Sequence, residues 1–263
     1  MLCYGFMASK ASFLQSSRAA ISENELARRI ALAREAYPDQ EKGKPSLTKL
    51  ARELELLIDP MRRITRRLDI PAAKNPQKII LFPGFATGPN KMRYMARHLE
   101  MAGHKAKNWK LGHNWGVASE SMERLEDRLL EVCERYEESV ALVGWSLGGL
   151  YARELAKRHP ICVHKVITMG SPFSGSPRAN NVWRVYQAIT GHRVDEAPIE
   201  ADLAAKPPVE TIALWSPSDG AIAPRSAAGQ PGERDRAVAL RCTHSGFTYA
   251  PEAILTVLAE LDR

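Results

Sequence analysis

Cysteine is scarce in this chain of 263 residues: Cys3, Cys133, Cys162 and Cys242 are all there are, and no two stand in C-x-x-C spacing. Zinc ribbons and dithiol redox centres need that spacing, so neither is expected, and the thiols read as reduced and structural. No run of about 18 apolar residues occurs, which excludes a membrane-spanning helix in the sequence pattern. Aromatic residues make up only 7% and form no platform beside the basic clusters. Nucleic-acid binding is therefore not expected, despite a net charge of +7. Neither an internal repeat nor a low-complexity tract is present. Leu2 to Ala8 is apolar, but no charge precedes it and Lys10 follows, the reverse of a secretory signal. A cytoplasmic location is the expectation. The Ser- and Arg-containing, acid-poor opening of the chain leaves an organellar transit peptide as the alternative, and disorder is the default for a terminus.

Hydrophobic residues make up 44% and charged residues 25%, enough to build one sizeable core. From residue 78 onward, strand-like and helix-like segments alternate. The pattern predicts strands near 78–82, 104–109, 139–144, 163–169, 209–215 and 237–243, and helices near 90–102, 119–136, 146–158 and 251–261. Such alternation implies an α/β fold with a mostly parallel sheet covered by helices on both faces.

The chemistry-bearing feature is Val140 to Gly149, an apolar run broken by Gly144-Trp145-Ser146-Leu147-Gly148. A G-x-S-x-G between a strand and a helix is a nucleophile elbow, with glycines where a Cβ would collide with neighbouring backbone. Ser146 is the candidate nucleophile; the competing reading is a serine that only caps the helix. A serine hydroxyl needs a histidine to take its proton and a carboxylate to hold that histidine in one tautomer. The chain order should be serine, acid, histidine. Of the histidines after Ser146, His164 opens a strand and His192 lies in a Gly/Arg-rich loop. His244 follows the apolar stretch Ala237 to Cys242, where a base on a loop belongs. For the acid, Asp219 sits in Ser216-Pro217-Ser218-Asp219-Gly220 directly after a strand-like run, a setting that Asp195, Glu196 and Asp202 lack.

On these residues the chain resembles the α/β-hydrolase family, and within it the compact lipase-like and esterase-like members. The resemblance spans about residues 78 to 262. Lys78 to Phe85 looks like the strand and loop that supply half of an oxyanion hole, although Phe82-Pro83-Gly84 replaces the lipase His-Gly. It implies that the amides of Phe85 and Leu147 face the oxyanion, each donor being worth roughly 10²- to 10³-fold in rate. No metal or organic cofactor is implied.

Two regions lie outside this pattern. Residues 1–75 are read as an N-terminal helical extension, carrying 14 Lys/Arg against 9 Asp/Glu, and residues 76–263 as the hydrolase domain. In the extension, Ser22-Glu23-Asn24-Glu25 predicts a capping box for a helix reaching Pro38, with Leu26, Ile30, Ala33 and Tyr37 on one face. A second helix starts at Ser46, with Leu47, Leu50, Leu54 and Leu57 inward. A third begins at Asp59-Pro60, where Met61, Ile64 and Leu68 alternate with paired arginines. Such a segment can make weak contact with an anionic membrane surface; the preferred reading is an arm packed on the hydrolase domain. The other region is a long insertion at 172–208, expected to form a cap, with a helix at Val182 to Thr190 and Phe173, Trp183 and Tyr186 facing substrate. Asn114 and Trp115, on a loop after the second strand, are the remaining candidate substrate-binding residues.

The expected activity is cleavage of carboxylic esters through an acyl-enzyme on Ser146, acting on a small ester or acyl substrate. Acyl transfer and thioester or amide cleavage are alternatives on the same triad. A non-catalytic hydrolase-fold protein binding a partner through its helical arm is the alternative of another class.

Overall fold

Six segments, the four central ones apolar and buried along most of their length, pair side by side in a computed structural model that describes residues 22–35, 44–53, 68–116, 119–196 and 202–263. They form β1 (Lys78–Phe82), β2 (Lys105–Asn108), β3 (Val140–Trp145), β4 (Val163–Met169), β5 (Glu210–Trp215) and β6 (Arg236–Ala239). All pairings are parallel, in the order β2-β1-β3-β4-β5-β6. A parallel sheet requires crossovers, the first three of which run through α3 (Pro89–Met101), α4 (Ser119–Tyr136) and α5 (Leu147–Arg158), and α8 (Pro251–Leu261) follows the last strand.

Alternation along the strands divides the core between the two faces. Ile79 and Leu81 point to one side, where Met92, Met95 and Leu99 of α3 and Ile254, Val257 and Leu258 of α8 cover them. Ile80 and Phe82 point to the other, against Leu125 and Leu129 of α4 and Ala152 and Leu155 of α5. Burial on both faces explains why the central strands β1, β3, β4 and β5 read as continuous apolar runs and not as alternating ones, whereas the edge strands β2 and β6 stay partly exposed.

The predicted core strands and helices are all present, with one correction: β6 stops at Ala239, not at 243. Residues 240–244 leave the sheet, and His244 stands on a loop several residues beyond the strand. Among the short elements not anticipated are α7 (Pro224–Ala228) and a 3₁₀ turn at Ser245–Thr248. Both are single turns, too short to leave a periodic signal.

In the N-terminal region, α1 (Glu23–Ala33) stops short of Pro38, and of the second helix α2 (Leu47–Arg52) is described, with Leu47 exposed and not inward; Leu54 and Leu57 lie outside the described residues. Ser22 Oγ accepts the Glu25 amide at 3.2 Å, one half of the capping box. The other half is absent because the Glu25 carboxylate turns to Arg28 and Arg29 at 2.8 and 2.7 Å, and charge-assisted bonds outcompete a backbone amide. The opening stretch Leu2 to Ala8, the end of the first predicted arm helix, and its third segment at 59–67 lie outside the described residues. Cys133, Cys162 and Cys242 are free thiols. Among the described residues, no helix is long and apolar enough to cross a membrane.

The insertion contributes α6 (Trp183–Thr190), and α1 packs across it. Gln187 donates to the Leu32 carbonyl at 2.9 Å, and Glu35, just beyond α1, pairs with Arg178 at 3.2 Å and with Arg193. The arm thus grips the insertion.

Candidate active site

At the carboxyl end of β3 the chain turns into α5 within one residue. Ser146 makes the turn with φ 54° and ψ −124°, a left-handed conformation that costs a non-glycine residue on the order of 1–3 kcal/mol. A Cβ on Gly144 would lie 2.4 Å from the Gly148 carbonyl oxygen, and one on Gly148 would lie 2.4 Å from the Phe82 carbonyl oxygen. Only glycine fits either place. Ser146 gives α5 no side-chain cap, so the helix-cap reading of this serine does not hold.

The carboxyl ends of β5 and β6 bring the next two groups together. Asp219 Oδ2 and His244 Nδ1 are 2.8 Å apart, with both residues buried. Asp219 Oδ1 is already occupied by the amides of Ala221 and Ile222, each at 2.8 Å. An ionised carboxylate only accepts, so Nδ1 carries the proton and Nε2 is the basic nitrogen. Trp145, the neighbour of Ser146, donates its indole N–H to the His244 carbonyl at 2.9 Å, and the two rings lie 5.3 Å apart. Ser216 Oγ donates to the Cys242 carbonyl at 2.6 Å and ties the two loops. The rejected alternatives sit elsewhere. His164 is held by Ser139 and Gln77 at the start of β4, and Asp195 pairs with Arg178. The side chain of Asp202 caps its own turn.

Burial alone would depress the His244 imidazole. The charge and hydrogen bond of Asp219, together with the charge of Glu53, outweigh it and Lys91, leaving the ring above its ordinary value of 6.5.

Loop 83–87 presses on the serine so closely that a Cβ on Gly84 would be 3.1 Å from Ser146 Cβ. Ala86 in this loop also has positive φ, 56°. Asn114 holds it in place: its Nδ2 donates to the Pro83 carbonyl at 2.8 Å, and its backbone exchanges hydrogen bonds with Ala86 and Thr87 at 2.7 and 2.8 Å.

Beside Ser146 opens a predominantly apolar pocket whose walls include Phe85, Leu147, Leu150, Trp183, Tyr186 and Ile222. Phe85 and Tyr186 pack ring to ring at 5.1 Å in its wall. Of the five residues expected to face substrate, Trp183 and Tyr186 line this pocket. Three do not. Phe173 is buried behind the wall with the Arg153 guanidinium 4.1 Å over its ring. Asn114 is a brace, and Trp115 is 58% exposed and stacked on His113 beside a separate cavity. Apolar composition could not separate Phe173 from Trp183, because both are buried and only their directions differ.

One participant escaped the sequence reading. Glu53 reaches the His244 loop from the arm, and nothing local in Leu50-Ala51-Arg52-Glu53 marks it, since its contacts lie 167 to 192 residues away.

Comparison with known proteins gives a consistent frame. A family model described as palmitoyl protein thioesterase matches residues 78–225. No curated protein sequence matches the chain. The thioesterase domain from the curacin biosynthetic pathway is similar in fold at a TM-score of 0.50 and 14% identity, covering 72% of this chain and 93% of that one. An α/β hydrolase from a sediment metagenome of the lagoon of Mar Chica, Morocco, superposes with a TM-score of 0.52 at 21% identity, covering 71% and 90%. The pyrethroid hydrolase PytH does so at 0.52 and 16% identity, covering 72% and 98%. At these identities the three structures speak for the α/β-hydrolase fold.

Proposed function

Because the chain belongs to the palmitoyl protein thioesterase family, hydrolases of ester and thioester bonds, we propose that it cleaves acyl esters or thioesters through an acyl-enzyme on Ser146. The observation that carries this reading is the hydrogen-bonded His244–Asp219 pair, whose imidazole packs on Trp145, next in the chain to a strained serine that lines an apolar pocket. His244 Nε2 takes the hydroxyl proton as Ser146 Oγ bonds to the substrate carbonyl carbon. The oxygen that becomes negative is held by the Phe85 and Leu147 amides. Collapse breaks the C–O or C–S bond, and His244 returns the proton to the departing alkoxide or thiolate. Water, deprotonated by the same nitrogen, then frees the acid and restores Ser146.

The base must be neutral to act, and its folded pKa is raised, so activity is lost as pH falls through a value above that of free histidine. The acid limb of kcat/KM is expected to have its midpoint above 6.5. A pH profile on a non-ionising ester checks this, and a midpoint below 6.5 contradicts it.

Pocket chemistry sets the preferred acyl group. Each buried methylene contributes roughly 0.8 kcal/mol, so two added carbons should raise kcat/KM about 10-fold until the pocket is full. A graded series of p-nitrophenyl esters and matching acyl thioesters measures this. Trp183→Ala should flatten the chain-length dependence more than it slows acetate hydrolysis. An unchanged profile in that variant would place the acyl chain elsewhere. Covalent labelling of the wild-type protein by a fluorophosphonate, without loss of turnover, would refute the serine mechanism.

A further inference from the structure

The loops that carry the acid and the base are joined by a side chain that belongs to neither. Glu53 Oε1 accepts the backbone N–H of His244 at 2.6 Å and of Gly220 at 3.1 Å, and Oε2 accepts that of Ser245 at 3.1 Å. One carboxylate therefore spans the residue after Asp219, the base itself and the residue after the base. Its helix is seated to allow this. A Cβ on Gly220 would be 2.4 Å from the Lys49 carbonyl oxygen, so the acid turn lies directly against the backbone of α2. Lys49 Nζ donates to the Pro217 carbonyl at 2.8 Å, and Asn181 bridges the Pro45 and Gly220 carbonyls at 3.0 and 2.8 Å. Glu53 is also the C-cap of α2, where a negative side chain opposes the helix dipole, so the helix itself gains nothing from an acid there.

We propose that Glu53 is a positioning residue for the triad: the N-terminal arm supplies the carboxylate that fixes the His244 loop against the Asp219 loop and so aims the imidazole at Ser146. This rests on the catalytic reading given above. The hydrogen bonds set where the His244 backbone stands, and a small displacement of a general base is costly, up to roughly 10²-fold per ångström. The charge acts as well. His244 is faced by Asp219 from the acid loop, by Lys91 from α3 and by Glu53 from the arm, and the Glu53 anion favours the protonated ring while Lys91 opposes it.

The test uses the full chain with Glu53→Ala and Glu53→Gln, with Ser146→Ala alongside. Steady-state kinetics on p-nitrophenyl butyrate are followed across pH, together with thermal unfolding. Glu53→Ala should lose roughly 10- to 100-fold in kcat with KM changed by less than about 2-fold, because the acyl pocket is untouched. Glu53→Gln keeps the size and one acceptor oxygen and should recover part of that loss. In both, the acid limb should move to lower pH, since removing the anion leaves the neutral imidazole favoured further into acid. A residue that merely holds the arm down would not move the limb. Wild-type kcat in both variants, or an acid limb that stays in place in Glu53→Gln, overturns the proposal. Should Glu53→Ala unfold, the Gln variant decides alone. Turnover surviving in Ser146→Ala would count against the serine mechanism, whereas a dead Ser146→Ala beside wild-type Glu53 variants would count against Glu53 only.

Discussion

Ser146→Ala is expected to lower kcat by roughly 10⁵- to 10⁶-fold while leaving the fold intact. The size of the effect follows from the mechanism, since loss of the hydroxyl removes the covalent intermediate. What remains is whatever the oxyanion donors and the pocket achieve with water alone. The fold survives because alanine meets the same positive φ that serine already tolerates, and no helix cap is lost. The unfolding midpoint should stay within the shift caused by about 1 kcal/mol. Active-site titration with a fluorophosphonate, read by intact mass, gives one adduct in the parent protein and none in the variant. Retention of even a few per cent of kcat would mean that another group attacks the carbonyl.

Asp219→Asn should cost about 10⁴-fold in kcat, and the structure supplies the reason. The Ala221 and Ile222 amides both donate to Oδ1, so the amide oxygen of asparagine must occupy that position. Its NH₂ then faces His244 Nδ1, where Oδ2 stood 2.8 Å away. A donor there forces the ring proton onto Nε2, the nitrogen that must be free. The fold should change little, because both backbone hydrogen bonds persist. Labelling should be slow but measurable, in contrast to Ser146→Ala. A loss below about 10-fold, or a larger one at Asp195 or Asp202, would locate the acid elsewhere.

These two residues were legible in the sequence because their settings are local. An elbow needs glycine at two fixed offsets, and Asp219 stands in the turn that follows a strand. The parallel sheet was legible too, since its central strands are buried on both faces and interrupted by helices of regular period. Where the sequence reading stopped, the missing information was direction or long-range contact. The helix of the insertion, α6, showed itself as a period, but whether Phe173 or Trp183 reaches the pocket depends on which way each ring turns from the backbone. Asn114 was placed on the right loop, yet its partners Pro83 and Thr87 lie on another loop and leave no mark beside it. The end of β6 was overestimated because Leu240 and Cys242 are apolar for a different reason. Leu240 and Cys242 pack beneath the sheet's edge against the core without extending the strand.

The span between Glu53 and its partners also bears on the order in which the molecule is made. Synthesis is vectorial, and α2 emerges 191 residues before the backbone amide of His244 that it will hold. By then the sheet through β5 has its strands, and the elbow and the Gly84 loop can already meet. The arm must wait, or dock on α6 alone, until the base arrives. A nascent chain therefore carries its serine long before His244 can serve it, and the contacts of the arm to the base loop can form only after that loop has emerged.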